Sequence, residues 1–133
     1  MKVAEVMRAK VTSVLPEATL GEAVVSLAEE HVSALPVVNE RGHLLGVLST
    51  SDILTAIAEA DGTEARGKLF GETLARDLMT PHSITIEPDA DVEEAARRML
   101  YLEVHRLFVT EGGKVVGVIS QTDIVGAVAT AKL

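Results

Sequence analysis

The chain contains one pattern twice, and this internal repeat constrains its fold more than any other feature. Residues 46–54 are GVLSTSDIL and residues 117–125 are GVISQTDIV. Other residues of the two copies match at an offset of 72 positions, as do Met7 with Met79, Pro16 with Pro88 and Leu20 with Val92. Copy two lacks one residue in the turn before Gly113, so the offset after this turn is 71, as for Gly46 with Gly117. Repetition at a fixed period indicates repeated structural units. The sequence therefore predicts two copies of one unit.

Both copies begin with the same two predicted elements, a short β-run and a helix. The β-runs cover residues 13–15 and 85–87, and each helix starts at a capping pair, Thr19 with Glu22 or Asp91 with Glu94. Apolar residues then recur at the i, i+3, i+4, i+7, i+8 spacing of a helix with one buried face. These residues are Leu20, Ala23, Val24, Leu27 and Ala28 in copy one, and Val92, Ala95, Ala96, Met99 and Leu100 in copy two.

Two apolar runs around a turn follow in each copy, which predicts a β-hairpin. The runs are ALPVV and HLLGVLS in copy one, and RLFVT and KVVGVIS in copy two. A second helix is predicted from about residue 50 to 60 and from about 121 to the C-terminus. Residues 61–73 mix glycine and charge without steady periodicity, which predicts a linker, with room for a helical turn of its own, between copy one (1–60) and copy two (74–133).

The order of elements predicts an α+β fold of two tandem β-α-β-β-α units. A unit of roughly 60 residues buries too little surface to be more than marginally stable alone. We therefore expect the two units to pack through their sheets about a pseudo-two-fold axis.

Composition and motifs exclude several classes of function. The net charge is −8, with 20 acidic and 12 basic residues and only three aromatic ones, so nucleic acid is not an expected partner. No cysteine is present, the histidines lack metal-ligand spacing, and no apolar run reaches the length of a membrane span. Glu5 and Arg8 do not fit a signal peptide, so we expect a cytoplasmic protein. No catalytic or phosphate-loop motif occurs, which predicts that the chain is not an enzyme.

The repeated Ser-x-x-Asp element has two interpretations. Ser49 with Asp52, and Ser120 with Asp123, have the spacing of a capping box that starts a helix. The same geometry places amide donors that suit a phosphate beside a carboxylate that can accept hydrogen bonds from the vicinal hydroxyls of a ribose. The sequence pattern alone leaves both interpretations open.

These residues resemble the signature of the CBS domain family, in which a glycine, two apolar residues, Ser or Thr, two variable residues and Asp follow one another. The signature occurs as Gly46-Val47-Leu48-Ser49-Thr50-Ser51-Asp52 and as Gly117-Val118-Ile119-Ser120-Gln121-Thr122-Asp123. The phrases EVMRAKVTSVLPEATL and DLMTPHSITIEPDADV are also similar to the family, so the resemblance spans both copies, from near Val3 to near Val125. It implies a tandem CBS pair, often called a Bateman module, and a homodimer of such pairs.

The resemblance also implies a ligand and its contacts. The ligand would contain adenosine: AMP, ADP or ATP, and less often S-adenosylmethionine or NAD(H). Carried over by position, the residues that contact ribose and phosphate are Ser49, Asp52, Ser120 and Asp123. The segments around Val11 and Ser83 would border the adenine.

His105 and Arg106 resemble the His-Arg pair with which AMP-sensing family members hold phosphate, whereas copy one has Ser33 and Ala34 at that place. Without the resemblance, His105 and Arg106 would be interpreted as a solvated strand edge. The resulting hypothesis is a regulatory nucleotide-binding module that acts allosterically on a separate, unidentified protein. The alternative is a ligand-free dimerisation scaffold.

Overall fold

The computed structural model describes residues 1–81 and 84–131. Within these ranges the elements are α1 Val3–Val6, α2 Leu20–Glu30, β1 Ala34–Val38, β2 Leu44–Ser49, α3 Thr50–Glu59, α4 Gly62–Glu72, α5 Ala75–Leu78, β3 Thr80–Pro81, β4 Thr85–Ile86, α6 Val92–Leu102, β5 Arg106–Glu111, β6 Lys114–Ser120 and α7 Gln121–Thr130. No helix in the described ranges is long and apolar enough to cross a lipid bilayer.

The strands form two three-stranded sheets, which confirms the predicted α+β fold class. One sheet has the order β1-β2-β3 with antiparallel pairing throughout. The other has the order β4-β5-β6, in which β4 and β5 are parallel and β5 and β6 antiparallel. Both predicted hairpins are therefore present, as β1–β2 and β5–β6.

The chain divides into two compact units that do not follow the order of the sequence. The central unit is Thr12–Ser83, and the terminal unit combines Met1–Val11 with Ile84–Leu133. Backbone hydrogen bonds attach the chain start to copy two: the Val3 N–H donates to the Ala90 carbonyl at 2.8 Å, and the Val92 N–H donates to the Met1 carbonyl at 2.9 Å. The first eleven residues thus belong to the unit that contains copy two.

The start of copy two is attached to the central unit in the same way. The Ala75 N–H donates to the Ala18 carbonyl at 2.7 Å, and the Leu20 N–H donates to the Thr73 carbonyl at 3.0 Å. We call residues 1–9 and 73–81 the two arms. Each arm contains a one-turn helix, α1 or α5, and each ends beside the second strand of a hairpin, β6 or β2.

Both arms pair with the second residue of a signature. Thr80 pairs with Val47 of β2. Arg8 pairs with Val118 of β6 through two backbone hydrogen bonds, of 2.9 and 3.0 Å, that run in opposite directions. Thr80 and Arg8 therefore occupy equivalent places in the two units.

The strand predicted at residues 13–15 is wrong, whereas its counterpart in copy two is present as β4. In copy one only Val14 forms a bridge, to Val37, although Ile86 and Val109 pair in the same way within β4 and β5. The neighbouring position on β1 is Pro36, which has no N–H to donate, so the ladder cannot extend there.

Each unit has its own apolar core between its sheet and its helices. The central core contains Val14, Leu20, Ala23, Leu27, Leu35, Val37, Leu48, Ile53 and Ala75. The terminal core contains Val3, Ile86, Val92, Ala95, Met99, Leu107, Val109, Ile119 and Ile124. Val3 and Ala75, one from each arm, are completely buried.

The predicted apolar stripes are only partly buried. Val24, Ala28 and Leu100 are exposed, so their assignment to the buried face is wrong. The buried face is the narrower row at i, i+3 and i+7, because a helix that rests on one small sheet buries only the residues directly facing it.

Helix capping agrees with the prediction in α2 and differs in α6. The Thr19 hydroxyl accepts from the Glu22 N–H at 3.2 Å, and the Glu22 carboxylate accepts from the Thr19 N–H at 3.2 Å. Asp91 makes no side-chain cap, because its carboxylate accepts from Lys2 Nζ at 3.0 Å. This contact lowers the pKa of Asp91 and raises the pKa of Lys2, through the hydrogen bond and the opposite charges.

Residues 61–73 contain a three-turn helix, α4, although the sequence shows little periodicity there. Among its apolar residues, Ala65, Leu69 and Phe70 are half-buried, and Leu69 and Phe70 pack against the central core. Because the rest of the helix is exposed and polar, the apolar pattern is too sparse to predict it.

Candidate ligand-binding sites at two helix N-termini

The glycine of each signature lets an arm cross the strand that leads to the site. A Cβ atom on Gly46 would lie 2.8 Å from both Met79 Sδ and the Thr80 carbonyl oxygen. A Cβ atom on Gly117 would lie 2.5 Å from Met7 Sδ and 2.9 Å from the Arg8 carbonyl oxygen. The two methionines therefore fill the space that a side chain would need, and the arm is held beside the start of the next helix.

The central site lies where β2 ends and α3 begins. The Ser49 hydroxyl accepts from the Asp52 N–H at 3.2 Å, and Asp52 Oδ2 accepts from the Ser49 N–H and from the Ser49 hydroxyl, each at 2.9 Å. The capping-box interpretation is therefore confirmed for this copy. The other carboxylate oxygen, Oδ1, has no hydrogen-bond partner within residues 1–81 and 84–131.

The terminal site, where β6 ends and α7 begins, has the same cap. The Ser120 hydroxyl accepts from the Asp123 N–H at 3.1 Å, and Asp123 Oδ2 accepts from the Ser120 N–H at 3.0 Å. Here Oδ1 also has a partner, because it lies 3.4 Å from Arg8 Nε. The Asp123 side chain is only 12% exposed.

Capping does not exhaust the acceptor capacity of either carboxylate. An ionised carboxylate offers about four acceptor positions on its two oxygens. The capping bonds use two positions on Asp52, and the cap and Arg8 together use two on Asp123. About two positions on each therefore stay available, which is what a pair of vicinal hydroxyls requires. The cap and the ligand interpretation are thus compatible.

The structure brings His105 and Arg106 to the terminal site. Arg106 is directly opposite Ser120 in the β5–β6 ladder, and the Gln121 N–H donates to the His105 carbonyl at 3.0 Å. Directly opposed residues project from the same face of a sheet, so Arg106 and Ser120 share one face. Arg106 is half-buried and His105 is exposed.

The same backbone arrangement in the central site carries uncharged residues. Ala34 is opposite Ser49, and the Thr50 N–H donates to the Ser33 carbonyl at 2.9 Å. The correspondence between Ser33-Ala34 and His105-Arg106, proposed from the sequence, is therefore correct at the level of the backbone.

Of the two residues that mark the segments predicted to border adenine, Val11 lies within the described residues. Val11 is half-buried and follows the first arm within the terminal unit. Ser83 lies outside the described residues. A contact of either segment with a ligand stays a prediction.

Arg8 is a candidate site residue that was not predicted from the sequence. A signal for it existed, because Met7 and Met79 were matched in the repeat and the next positions are Arg8 and Thr80. The charge at the two sites is therefore unequal: Arg8, His105 and Arg106 lie next to the terminal site, whereas Thr80, Ser33 and Ala34 take these places at the central site. In the part of the chain that the structure describes, no group of three or more His, Asp or Glu residues is placed to hold a metal ion.

Comparison with known proteins gives consistent matches. The family model of the CBS domain matches residues 3–59 and 75–130. The CBS domain-containing protein YhcV of Bacillus subtilis is 30% identical over 92% of this chain and 81% of its own length. An uncharacterized protein of Methanopyrus kandleri is 30% identical over 93% of this chain, which spans only 61% of that relative.

A solved structure extends the similarity to the fold. The crystal structure of CBSX2 from Arabidopsis thaliana in complex with AMP superposes with a TM-score of 0.81 at 29% identity, covering 96% of both chains. The similarity therefore includes both units rather than one of them.

Proposed function

The chain belongs to the CBS domain family, with two copies of the domain, and from this premise we propose that it is a regulatory module that binds an adenine nucleotide. One observation carries the proposal: at two equivalent helix N-termini, a carboxylate that caps the helix keeps acceptor positions for further donors. The crystallised complex of the 29% identical CBSX2 with AMP supports AMP as the first ligand to test. ADP, ATP, S-adenosylmethionine and NAD(H) are the other candidates.

The proposed contacts follow from the chemistry of each group. The ribose hydroxyls donate to the carboxylates of Asp52 and Asp123, next to Ser49 and Ser120. The helix amides, together with His105 and Arg106 in the terminal site, attract the phosphate. The segments around Val11 and Ser83 border the adenine ring.

The proposed biological role is allosteric control of a separate protein. A ligand that binds one arrangement of the module better than another shifts the population toward it and thereby changes its contact with a partner. The family membership supports a regulatory rather than a catalytic role, and it leaves the identity of the partner open. A cytoplasmic location, as expected from the sequence, belongs to the same proposal.

A homodimer is the proposed assembly. Val125 and Val128 lie three positions apart on one face of α7 and are 68% and 51% exposed, and Leu54 on α3, the counterpart of Val125 in the repeat, is 66% exposed. Exposed apolar side chains grouped on one helix face are typical of protein–protein contacts. Sedimentation equilibrium of the wild type and of a Leu54→Lys, Val125→Lys variant tests this assembly. We expect a dimer for the wild type and a monomer for the variant, and a monomeric wild type would contradict it.

Thermal melting with a panel of AMP, ADP, ATP, S-adenosylmethionine and NADH tests ligand binding. A ligand that binds only the folded state at a hundred times its Kd stabilises it by about 2.7 kcal/mol, which corresponds to roughly 10 °C for a chain of this size. We expect such a shift with at least one adenosine compound. A wild type that forms dimers but shifts with none of them would support the scaffold alternative.

A further inference from the structure

Arg8 is the residue that most distinguishes the terminal site from the central one. Its backbone pairs with Val118 as Thr80 pairs with Val47, so the two side chains start from equivalent places. From there the Arg8 side chain reaches the carboxylate of Asp123, with Nε 3.4 Å from Oδ1. The shorter threonine side chain at the central site carries no charge.

The contact between Arg8 and Asp123 uses only part of the guanidinium group. Nε is the atom at hydrogen-bond distance, and neither terminal NH₂ group has a hydrogen-bond partner in the described part of the chain. The Arg8 side chain is 70% exposed, so it is accessible to a ligand. Arginine has five N–H donors in a planar fork that matches a phosphate.

A bare carboxylate beside a phosphate site has an electrostatic disadvantage. The negative charge that accepts the ribose hydroxyls also repels the phosphate of the same nucleotide. A guanidinium that contacts the carboxylate with one nitrogen and keeps two others available removes this conflict. The terminal site has such a group in Arg8, whereas the equivalent residue at the central site is Thr80.

We propose that Arg8 makes the terminal site selective for adenosine ligands that carry a phosphate, by neutralising Asp123 through Nε while its terminal NH₂ groups bind the phosphate. The central site, with Thr80 in this place, discriminates less between a nucleotide and the uncharged nucleoside. This inference rests on the proposed function, because it assigns a specificity to one of the two sites.

Calorimetric titration with AMP and with adenosine tests the inference in an Asp52→Asn background, which leaves the terminal site as the adenosine site under study. The variant Arg8→Thr gives the terminal site the residue that the central site has at the equivalent place, Thr80. We expect it to weaken AMP binding by about tenfold or more, because hydrogen bonds from a charged donor to phosphate are the strong ones. Adenosine binding should stay within about twofold, since adenosine offers no phosphate to the guanidinium.

Two further variants sharpen the test. Lys10→Thr is the matched control, because it removes one positive charge from an exposed residue close to Arg8 that forms no ion pair in the described residues. It should leave the ratio of AMP to adenosine affinity unchanged. Thr80→Arg in an Asp123→Asn background should raise that ratio at the central site.

The possible outcomes separate the inference from the function on which it rests. If the wild type binds none of the adenosine compounds of the melting panel, the proposed function itself is wrong. If the Asp52→Asn protein binds both ligands and Arg8→Thr leaves the ratio unchanged, Arg8 has no role in selectivity. An equal loss for both ligands would show that Arg8 only maintains the structure of the site, and it would overturn the inference.

Discussion

Replacing Asp52 and Asp123 by asparagine distinguishes a carboxylate that only caps a helix from one that also binds a ligand. In each site one oxygen, Oδ2, accepts from the backbone N–H of the preceding serine at 2.9 or 3.0 Å. Asparagine keeps one carbonyl oxygen that can accept this bond. It loses the charge and presents NH₂ donors where the second oxygen was, and these donors cannot accept from ribose hydroxyls.

The expected magnitudes differ for stability and for binding. Removing a negative charge from a helix N-terminus costs about 0.3–1 kcal/mol, so the double variant should lose roughly 0.6–2 kcal/mol of unfolding free energy. A hydrogen bond to a charged group contributes about 1.5–3 kcal/mol. Losing this contact at a site should therefore weaken AMP binding there by roughly 10- to 100-fold.

The assay is calorimetric titration with AMP, combined with urea unfolding and far-UV circular dichroism. The series contains Asp52→Asn, Asp123→Asn and the double variant, with Glu59→Gln as a control that removes an exposed carboxylate from the opposite end of α3. We expect helix content to be retained throughout. AMP binding by the double variant at the affinity of the wild type would refute the ligand role and leave both residues as caps.

The reciprocal change is Ser49→Ala. It removes the hydroxyl that accepts from the Asp52 N–H at 3.2 Å, and loss of such a cap costs about 0.5–2 kcal/mol. It leaves the Asp52 carboxylate present. Stability should therefore fall more than in Asp52→Asn, with a smaller loss of AMP affinity.

Three further changes test the fold that holds the sites. Gly46→Ala should lower the unfolding free energy by about 1–3 kcal/mol in urea titrations, because its Cβ would lie 2.8 Å from Met79 Sδ; wild-type stability would show that no close crossing exists. Leu48→Ala, at a fully buried position, should cost about 2–5 kcal/mol by the same measurement, and a loss below 1 kcal/mol would contradict its place in the core. Lys2 lowers the pKa of Asp91 below its ordinary value of 3.8, so this contact stabilises the fold above that value and ceases to do so as the pH falls through the lowered pKa. Asp91→Asn should remove this part of the acid dependence in unfolding measured between about pH 2 and pH 7, and an unchanged profile would argue against the ion pair.

Local patterns explain why much of the fold could be predicted. Both hairpins follow from apolar runs around a turn, and the caps at Thr19, Ser49 and Ser120 follow from a spacing of three residues. These features depend on neighbours within a few positions of the chain. The repeat then allowed each assignment to be checked against its counterpart.

The features that were missed depend on contacts between distant parts of the sequence. Lys2 takes Asp91 away from its predicted cap, and Arg8 reaches Asp123 across 115 positions. Both contacts exist because the first arm belongs to the terminal unit. No local sequence pattern indicates that the start of the chain packs with copy two. Pro36 is an intermediate case: its missing N–H was visible in the sequence, but its effect depended on which segment lay beside it.

Comparison of AMP with 2′,3′-dideoxy-AMP in calorimetric titrations tests most directly whether the two carboxylates bind the ribose hydroxyls. The dideoxy compound keeps the adenine and the phosphate and lacks both hydroxyls. We predict that the wild type binds it at least about tenfold more weakly than AMP, and that the Asp52→Asn, Asp123→Asn variant binds the two compounds equally. Equal affinity of the wild type for AMP and its dideoxy analogue would contradict the account.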